Sequence, residues 1–168
     1  MEPTRLGPLR LRIVTRCAAH SARWADEAYD RLWTMRSSGS SVYLETTIVS
    51  YLTAQPSRDV VLAGHQALTR DWWRGRAMYQ LRASQLVIDE AGAGTSHLAA
   101  RRLRALREIA LLPLTDSATR LARALIRRGA LPEKATVDAF HIGIAAAHGM
   151  AYLLTWNWVV GQFEISPA

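Results

Sequence analysis

From residue 42 onward, short apolar runs alternate with longer stretches of helical period, and turn residues separate the two. Val42 to Leu44 reads as a short buried strand, and Thr46 and Thr47 are placed to cap a helix through Leu52. Pro56 and Ser57 interrupt the chain, and Asp59 opens a long helix predicted to reach about Leu81. Gln85 to Ile88 is a predicted second strand, bounded by Ser84 and a turn at Gly92 and Gly94. Ser96 caps a helix with Ala99, Leu103, Leu106 and Ala110 on one face, and Leu111 to Leu114 forms a third strand interrupted by Pro113. Ser117 caps a helix that stops at Gly129, with Leu121 and Leu125 inward and Arg120, Arg123 and Arg127 outward. Ala135 to His148 is a helix apolar almost all round, stopped at Gly149, and Tyr152 to Thr155 is the fourth strand. Nearly continuous apolar strands alternating with helices predict an α/β fold, a short parallel sheet covered on both faces. No internal repeat is visible.

Residues 1–41 follow neither rhythm. A helix is expected over Ala22 to Met35, and Ser37 to Ser41 has the composition of a flexible linker. The segment reads as an N-terminal extension, partly helical or disordered, preceding a domain over residues 42–168. The length of 168 residues suits one domain with a single core. An apolar fraction of 49% and a charged fraction of 21% are those of an ordinary globule. The stretch from Ile142 to Leu154 is too short to span a bilayer. Cys17 is the only cysteine, which excludes an intrachain disulfide and a thiolate zinc cluster and fits a reducing, cytoplasmic setting. The formal charge is +7, and Lys134 is the only lysine among 21 basic residues. Arginine forks match phosphate oxygens, so this surface suits nucleic acid or an acidic protein without selecting either.

Against this background three acids stand out. Glu45 follows Val-Tyr-Leu, Glu90 follows Leu-Val-Ile-Asp, and Asp138 lies inside Val-Asp-Ala-Phe-His-Ile. A carboxylate is costly to desolvate, so three beside a core imply partners or a shared task. Ligands of open parallel sheets bind beyond the carboxyl ends of the strands, where Glu45, Glu90 and Asn157 are expected, and Asp138 begins the helix before the last strand. Mg²⁺ and Mn²⁺ prefer carboxylate oxygens, and a few convergent acids suffice when the substrate brings a phosphate. The alternative is that Glu45 and Glu90 are caps or solvated loop residues and that Asp138 pairs with an arginine. Asp89 competes with Glu90, because adjacent strand residues face opposite ways and only one can serve a site.

Four ordered blocks carry a resemblance to a known family. Val42-Tyr-Leu-Glu-Thr-Thr-Ile-Val-Ser-Tyr-Leu52, Ser84-Gln-Leu-Val-Ile-Asp-Glu90, Ala135-Thr-Val-Asp-Ala-Phe-His-Ile142 and Tyr152-Leu-Leu-Thr-Trp-Asn157 resemble the successive signatures of PIN domains. The nearest likeness is to VapC-like toxins of type II toxin–antitoxin pairs, over roughly residues 42–158. The resemblance implies a three-layer α/β/α sandwich and a Mg²⁺- or Mn²⁺-dependent ribonuclease. It implies catalytic and metal-binding roles for Glu45, Glu90 and Asp138, with Asn157 at the fourth metal position and Thr155 beside it. It favours Glu90 over Asp89. It also implies RNA as substrate, an antitoxin protein as partner and a homodimer. The chain departs from the family pattern at Glu45, where aspartate is commoner, at Asn157, which is usually acidic, and after Trp158, where a further helix and edge strand are usual. A catalytically inactive PIN-like module that binds antitoxin or RNA is the alternative these departures keep open.

Other features are weighed against plainer roles. His141 lies one helical turn after Asp138, where a histidine on an apolar face is expected to be structural. Gly92 and Gly94 follow a predicted strand but lack the third glycine and the Lys-Ser/Thr of a phosphate loop. Arg101, Arg102, Arg104 and Arg107, and Arg120, Arg123 and Arg127, form basic clusters that serve either as solvated helix faces or as an RNA path. Trp72 and Trp73 are expected in the core or a dimer interface rather than stacked on bases.

Overall fold

A computed structural model describes the backbone of residues 12–14 and the chain from 39 to 157. Five strands and six α-helices lie in these residues. The strands are β1 (Arg12–Val14), β2 (Ser41–Leu44), β3 (Gln80–Ser84), β4 (Ala110–Leu112) and β5 (Tyr152–Leu154). The helices are α1 (Thr46–Thr53), α2 (Val60–Arg74), α3 (Gln85–Gly92), α4 (Ser96–Leu106), α5 (Asp116–Arg127) and α6 (Thr136–Ala147). All strand pairs are parallel, in the order β1-β5-β2-β3-β4. The chain therefore has the expected α/β architecture, a short parallel sheet between helical layers. No helix of the described residues is long and apolar enough to cross a membrane.

The period of two along the strands sorts the core into two faces. Val42 and Leu44 of β2, Leu81 of β3 and Leu154 of β5 pack with Ile48 and Trp72 on one face. Tyr43 and Leu153 point the other way, into a larger core with Val87, Leu106, Ala118, Ala122 and the apolar residues of α6. Every residue of the central strand from Val42 to Leu44 is fully buried, which is why this segment reads as a continuous apolar run. Trp72 is a core residue stacked on Tyr79, as its apolar surroundings suggested, and Arg76 lies over the half-buried Trp73 ring.

Two sequence expectations are corrected. The helix from Asp59 ends at Arg74, because Gly75 closes it and the chain turns through Arg76–Met78 into β3. The second strand is Gln80–Ser84, in register with β2 through Leu81 opposite Val42, and Gln85–Gly92 is the helix α3. The Leu-Val-Ile run, with two β-branched residues, carried a strand signal, but Val87 and Ala91 are buried one helical turn apart, and packing overrides propensity. Glu90 is consequently a helical residue. Smaller shifts follow the caps: Glu45 rather than Thr46 or Thr47 caps α1, Thr95 precedes α4, and Thr115 rather than Ser117 caps α5. Ala110 belongs to β4 rather than to the helix before it, and Pro113, which lacks an N–H, follows the strand. The expected stops at Gly129 and Gly149 hold, both glycines having the positive φ that side chains resist. Three residues of the N-terminal segment, Arg12–Val14, pair with β5, so this part of the segment joins the sheet. The predicted helix over Ala22 to Met35 and the tail from Trp158 lie outside the described residues.

Helix α6 presses against α5 at Gly143, where an added Cβ would stand 2.5 Å from the Ala118 carbonyl oxygen and 3.2 Å from the Ala122 amide nitrogen. Backbone cannot yield as a side-chain tip can. Gly143→Ala should therefore destabilise the fold by about 1–3 kcal/mol despite a gain in helix propensity of about 1 kcal/mol, measured by urea or thermal unfolding.

Candidate metal centre

The carboxyl ends of the central strands are adjacent in the sheet. Leu44 is in register with Leu154, so Glu45 and Thr155 emerge side by side, and Ser84 ends β3 next to them. The Glu45 amide continues the ladder by donating to the Leu154 carbonyl at 3.1 Å. Helix α6 brings Asp138 to this edge in its first turn, where a helix N-terminus favours negative charge.

Glu45 is only 4% exposed, and its burial is made tolerable by hydrogen bonding. Its Oε2 accepts from the Thr47 amide at 3.0 Å, from the Thr47 hydroxyl and from the Thr155 hydroxyl at 2.8 Å. Both hydroxyls are aimed by amides behind them. The Trp156 N–H donates to Thr47 Oγ1 and the Asn157 N–H to Thr155 Oγ1, each at 2.8 Å, so each hydroxyl proton is directed at the carboxylate. Glu90 is clamped in the same one-sided way. Its Oε2 accepts from Thr46 Oγ1 at 2.5 Å and lies 2.9 Å from His141 Nε2. Asp138 Oδ1 accepts from the Asn157 side-chain amide at 2.7 Å. Among the described residues, each of the three acids thus has one oxygen held by protein donors and the other without one.

Behind Glu90 runs a buried chain. His141 is fully buried, with Nδ1 2.9 Å from the Tyr43 hydroxyl, which lies 2.7 Å from Ser84 Oγ. Burial pushes the Tyr43 hydroxyl well above its ordinary pKa, an effect reinforced by the charges of Glu45 and Glu90 and eased by the Ser84 hydrogen bond. Burial also raises Glu90, but the hydrogen bonds from His141 and Thr46 and the attraction of His141 outweigh it, and Glu90 sits below its ordinary value. An ionised Glu90 can only accept, so Nε2 carries a proton. In the neutral ring Nδ1 then accepts from Tyr43, and Tyr43 accepts from Ser84.

Asp138 shifts the opposite way. Burial raises it, the Glu45 and Glu90 charges add to that, and His141 and the Asn157 hydrogen bond only partly offset them. Among the described residues none of the three acids forms an ion pair with an arginine or lysine. Negative charge is therefore concentrated here with His141 as its one basic neighbour among the ion pairs of the described residues.

The structure places Glu45, Glu90, Asp138 and Asn157 at one edge, although 93 positions separate Glu45 from Asp138 in sequence numbering (138 − 45). The tightest group differs from the expected one. One oxygen each from Glu45 and Glu90 and one ring nitrogen of His141 all lie within 4.8 Å of one another, and Asp138 stands outside this trio. His141, read from sequence as structural, belongs to the site; its one signal was its place a helical turn after Asp138. Asp89 takes no part, being exposed and accepting from Gln85 at 2.8 Å. Opposed strand faces do not explain the distinction, as expected earlier; both residues are helical, and the turn of α3 sends them apart. Of the arginines, Arg102 is occupied by the Ala91 and Ala93 carbonyls, whereas Arg101, Arg104, Arg107, Arg120, Arg123 and Arg127 are exposed. No family model, curated protein or solved structure matches the chain.

The donor set suits a hard divalent cation: several carboxylate oxygens free of protein donors, and three acids that no arginine or lysine of the described residues pairs. The charge crowding has a measurable consequence. A folded-state pKa above the unfolded value means the native protein takes up protons as pH falls through that window, so the penalty on ionised Asp138 is present at neutral pH and lost on acidification. Without added cation, Asp138→Asn should melt higher than the wild type at pH 7, the amide oxygen still accepting from Asn157, and the gap should close as pH falls into the carboxylate range. Thermal melts across pH check this.

Proposed function

We propose that this protein is a divalent-cation-dependent endoribonuclease of the PIN type, and the toxin of a type II toxin–antitoxin pair acting in the cytoplasm. The observation that carries the reading is the convergence of Glu45, Glu90 and Asp138 at the carboxyl edge of a parallel sheet, each with one oxygen clamped and, among the described residues, none paired with an arginine or lysine. Mg²⁺ or Mn²⁺ held there by Glu45, Glu90 and Asp138, with Asn157 assisting, supplies water activation and charge neutralisation at a phosphodiester. The protein's own part is positional. Thr47 and Thr155 fix Glu45, Thr46 and His141 fix Glu90, and Asn157 fixes Asp138. The site hydroxyls of Thr46, Thr47 and Thr155 donate to carboxylates, which makes them orienting groups rather than nucleophiles. Exposed arginines on α4 and α5 suit the RNA backbone or an acidic antitoxin segment. A homodimer fits the same family likeness.

A second reading is an inactive module that binds antitoxin or RNA without cutting. Asn157 favours it, since it adds no charge and its amide group already donates to Asp138. Manganese separates the two. For the nuclease, Mn²⁺ at about 100 times its Kd should stabilise the wild type by about 2.7 kcal/mol and leave Asp138→Asn little changed. Mn²⁺-dependent cleavage of a structured RNA should fall by a factor on the order of 10² or more in that variant. Equal cleavage rates would remove Asp138 from the site, and no manganese binding at millimolar concentration would favour the inactive module.

A further inference from the structure

The fully buried chain Ser84–Tyr43–His141 ends on Glu90, and the cation chemistry itself calls for neither Tyr43 nor Ser84. Its members come from three elements: Tyr43 from the central strand, Ser84 from the end of β3, and His141 from the second turn of α6. A histidine serving only to fill the core would be better replaced by leucine, because each buried ring nitrogen demands a partner. Here both nitrogens have one, at 2.9 Å each.

Resting on the nuclease reading, we infer that His141 is a positioning residue for Glu90 rather than a cation ligand, and that Tyr43 and Ser84 fix the tautomer in which it acts. Two arrangements are chemically open to a ring so close to Glu45 and Glu90. As a ligand, His141 would present a bare Nε2 to the cation and turn its Nδ1 proton toward Tyr43. As a positioning group, it donates Nε2–H to Glu90 Oε2, and Nδ1 accepts from Tyr43. The observed geometry has the form of the second. Nε2 lies at hydrogen-bond distance from Glu90 Oε2, the same oxygen that Thr46 holds from the other side. Two donors from α1 and α6 pin one oxygen of a residue on α3, which orients the other. The arrangement also explains why a helical carboxylate can serve a site at the strand ends. Glu90 has one side-chain brace to α1 and another to α6.

The test uses the full-length protein and Mn²⁺ itself as probe. Calorimetry with Mn²⁺ and RNA cleavage are measured for the wild type, His141→Gln, His141→Leu and Tyr43→Phe, with thermal melts to establish folding. Loss of a residue that orients a metal ligand commonly lowers metal affinity by about 10–100-fold. His141→Leu should show a loss of that size, and His141→Gln, which keeps an N–H near the Nε2 position, should recover most of it. Tyr43→Phe keeps the ring packing and should weaken Mn²⁺ binding several-fold, so the inference stays testable if a His141 variant does not fold. Pulsed EPR of the Mn²⁺-bound wild type should lack the nitrogen coupling of a directly coordinated imidazole. That coupling, or leucine and phenylalanine variants that bind Mn²⁺ like the wild type, would overturn the positioning role while leaving the nuclease reading intact. A wild type that neither binds Mn²⁺ nor cleaves RNA would overturn both.

Discussion

A buried carboxylate that neutral donors satisfy, without a cation from the protein, is the constraint around which this chain is arranged. Glu45 could have been made tolerable by an arginine, and the chain has many. It takes three neutral hydrogen bonds on Oε2 instead, from the first turn of α1 and from the residue that follows β5. Neutral donors fix position without cancelling charge. The same choice recurs at Asp138 with Asn157, and largely at Glu90 with Thr46. Arg101, Arg104, Arg107, Arg120, Arg123 and Arg127 lie exposed on α4, on α5 and just after α4, and among the described residues no arginine pairs with the three acids.

Such crowding of acids conflicts with stability, and the molecule shows where the conflict is absorbed. Of the acids, Asp138 carries the visible strain of like charge, because burial and Glu45 both disfavour its ionised form. Glu90 is relieved by its bonds to His141 and Thr46. A site whose members are pushed in opposite directions by their surroundings is a recurrent mark of function, since a core selected only for stability would remove the conflict.

Much of the architecture was legible from periodicity and punctuation. The apolar run at Val42–Leu44, the glycine stops after α5 and α6 and the mostly apolar α6 were each written locally. The segment from Gln80 to Glu90 was not. Gln-Leu-Arg-Ala-Ser alternates only weakly, and its strand identity depends on pairing with β2, a contact made across 39 positions between Val42 and Leu81 (81 − 42). Leu-Val-Ile, by contrast, has strong strand propensity but lies where α3 must pack against the sheet. The acids themselves could be picked out because isolated carboxylates in apolar sequence are rare. His141 was passed over because its two partners, Tyr43 and Glu90, are 98 and 51 residues away, and no local pattern encodes them.

The residue between Thr155 and Asn157 ties this edge to the opposite face of the sheet. The Trp156 backbone amide holds the Thr47 hydroxyl, its indole N–H donates to Thr69 of α2 at 2.7 Å, and its ring stacks on His65 at 4.4 Å. Local opening of the carboxylate edge must therefore break a packed aromatic stack on α2. The two should open as one cooperative unit in hydrogen exchange, with aromatic packing that never touches the chemistry helping to keep the site closed.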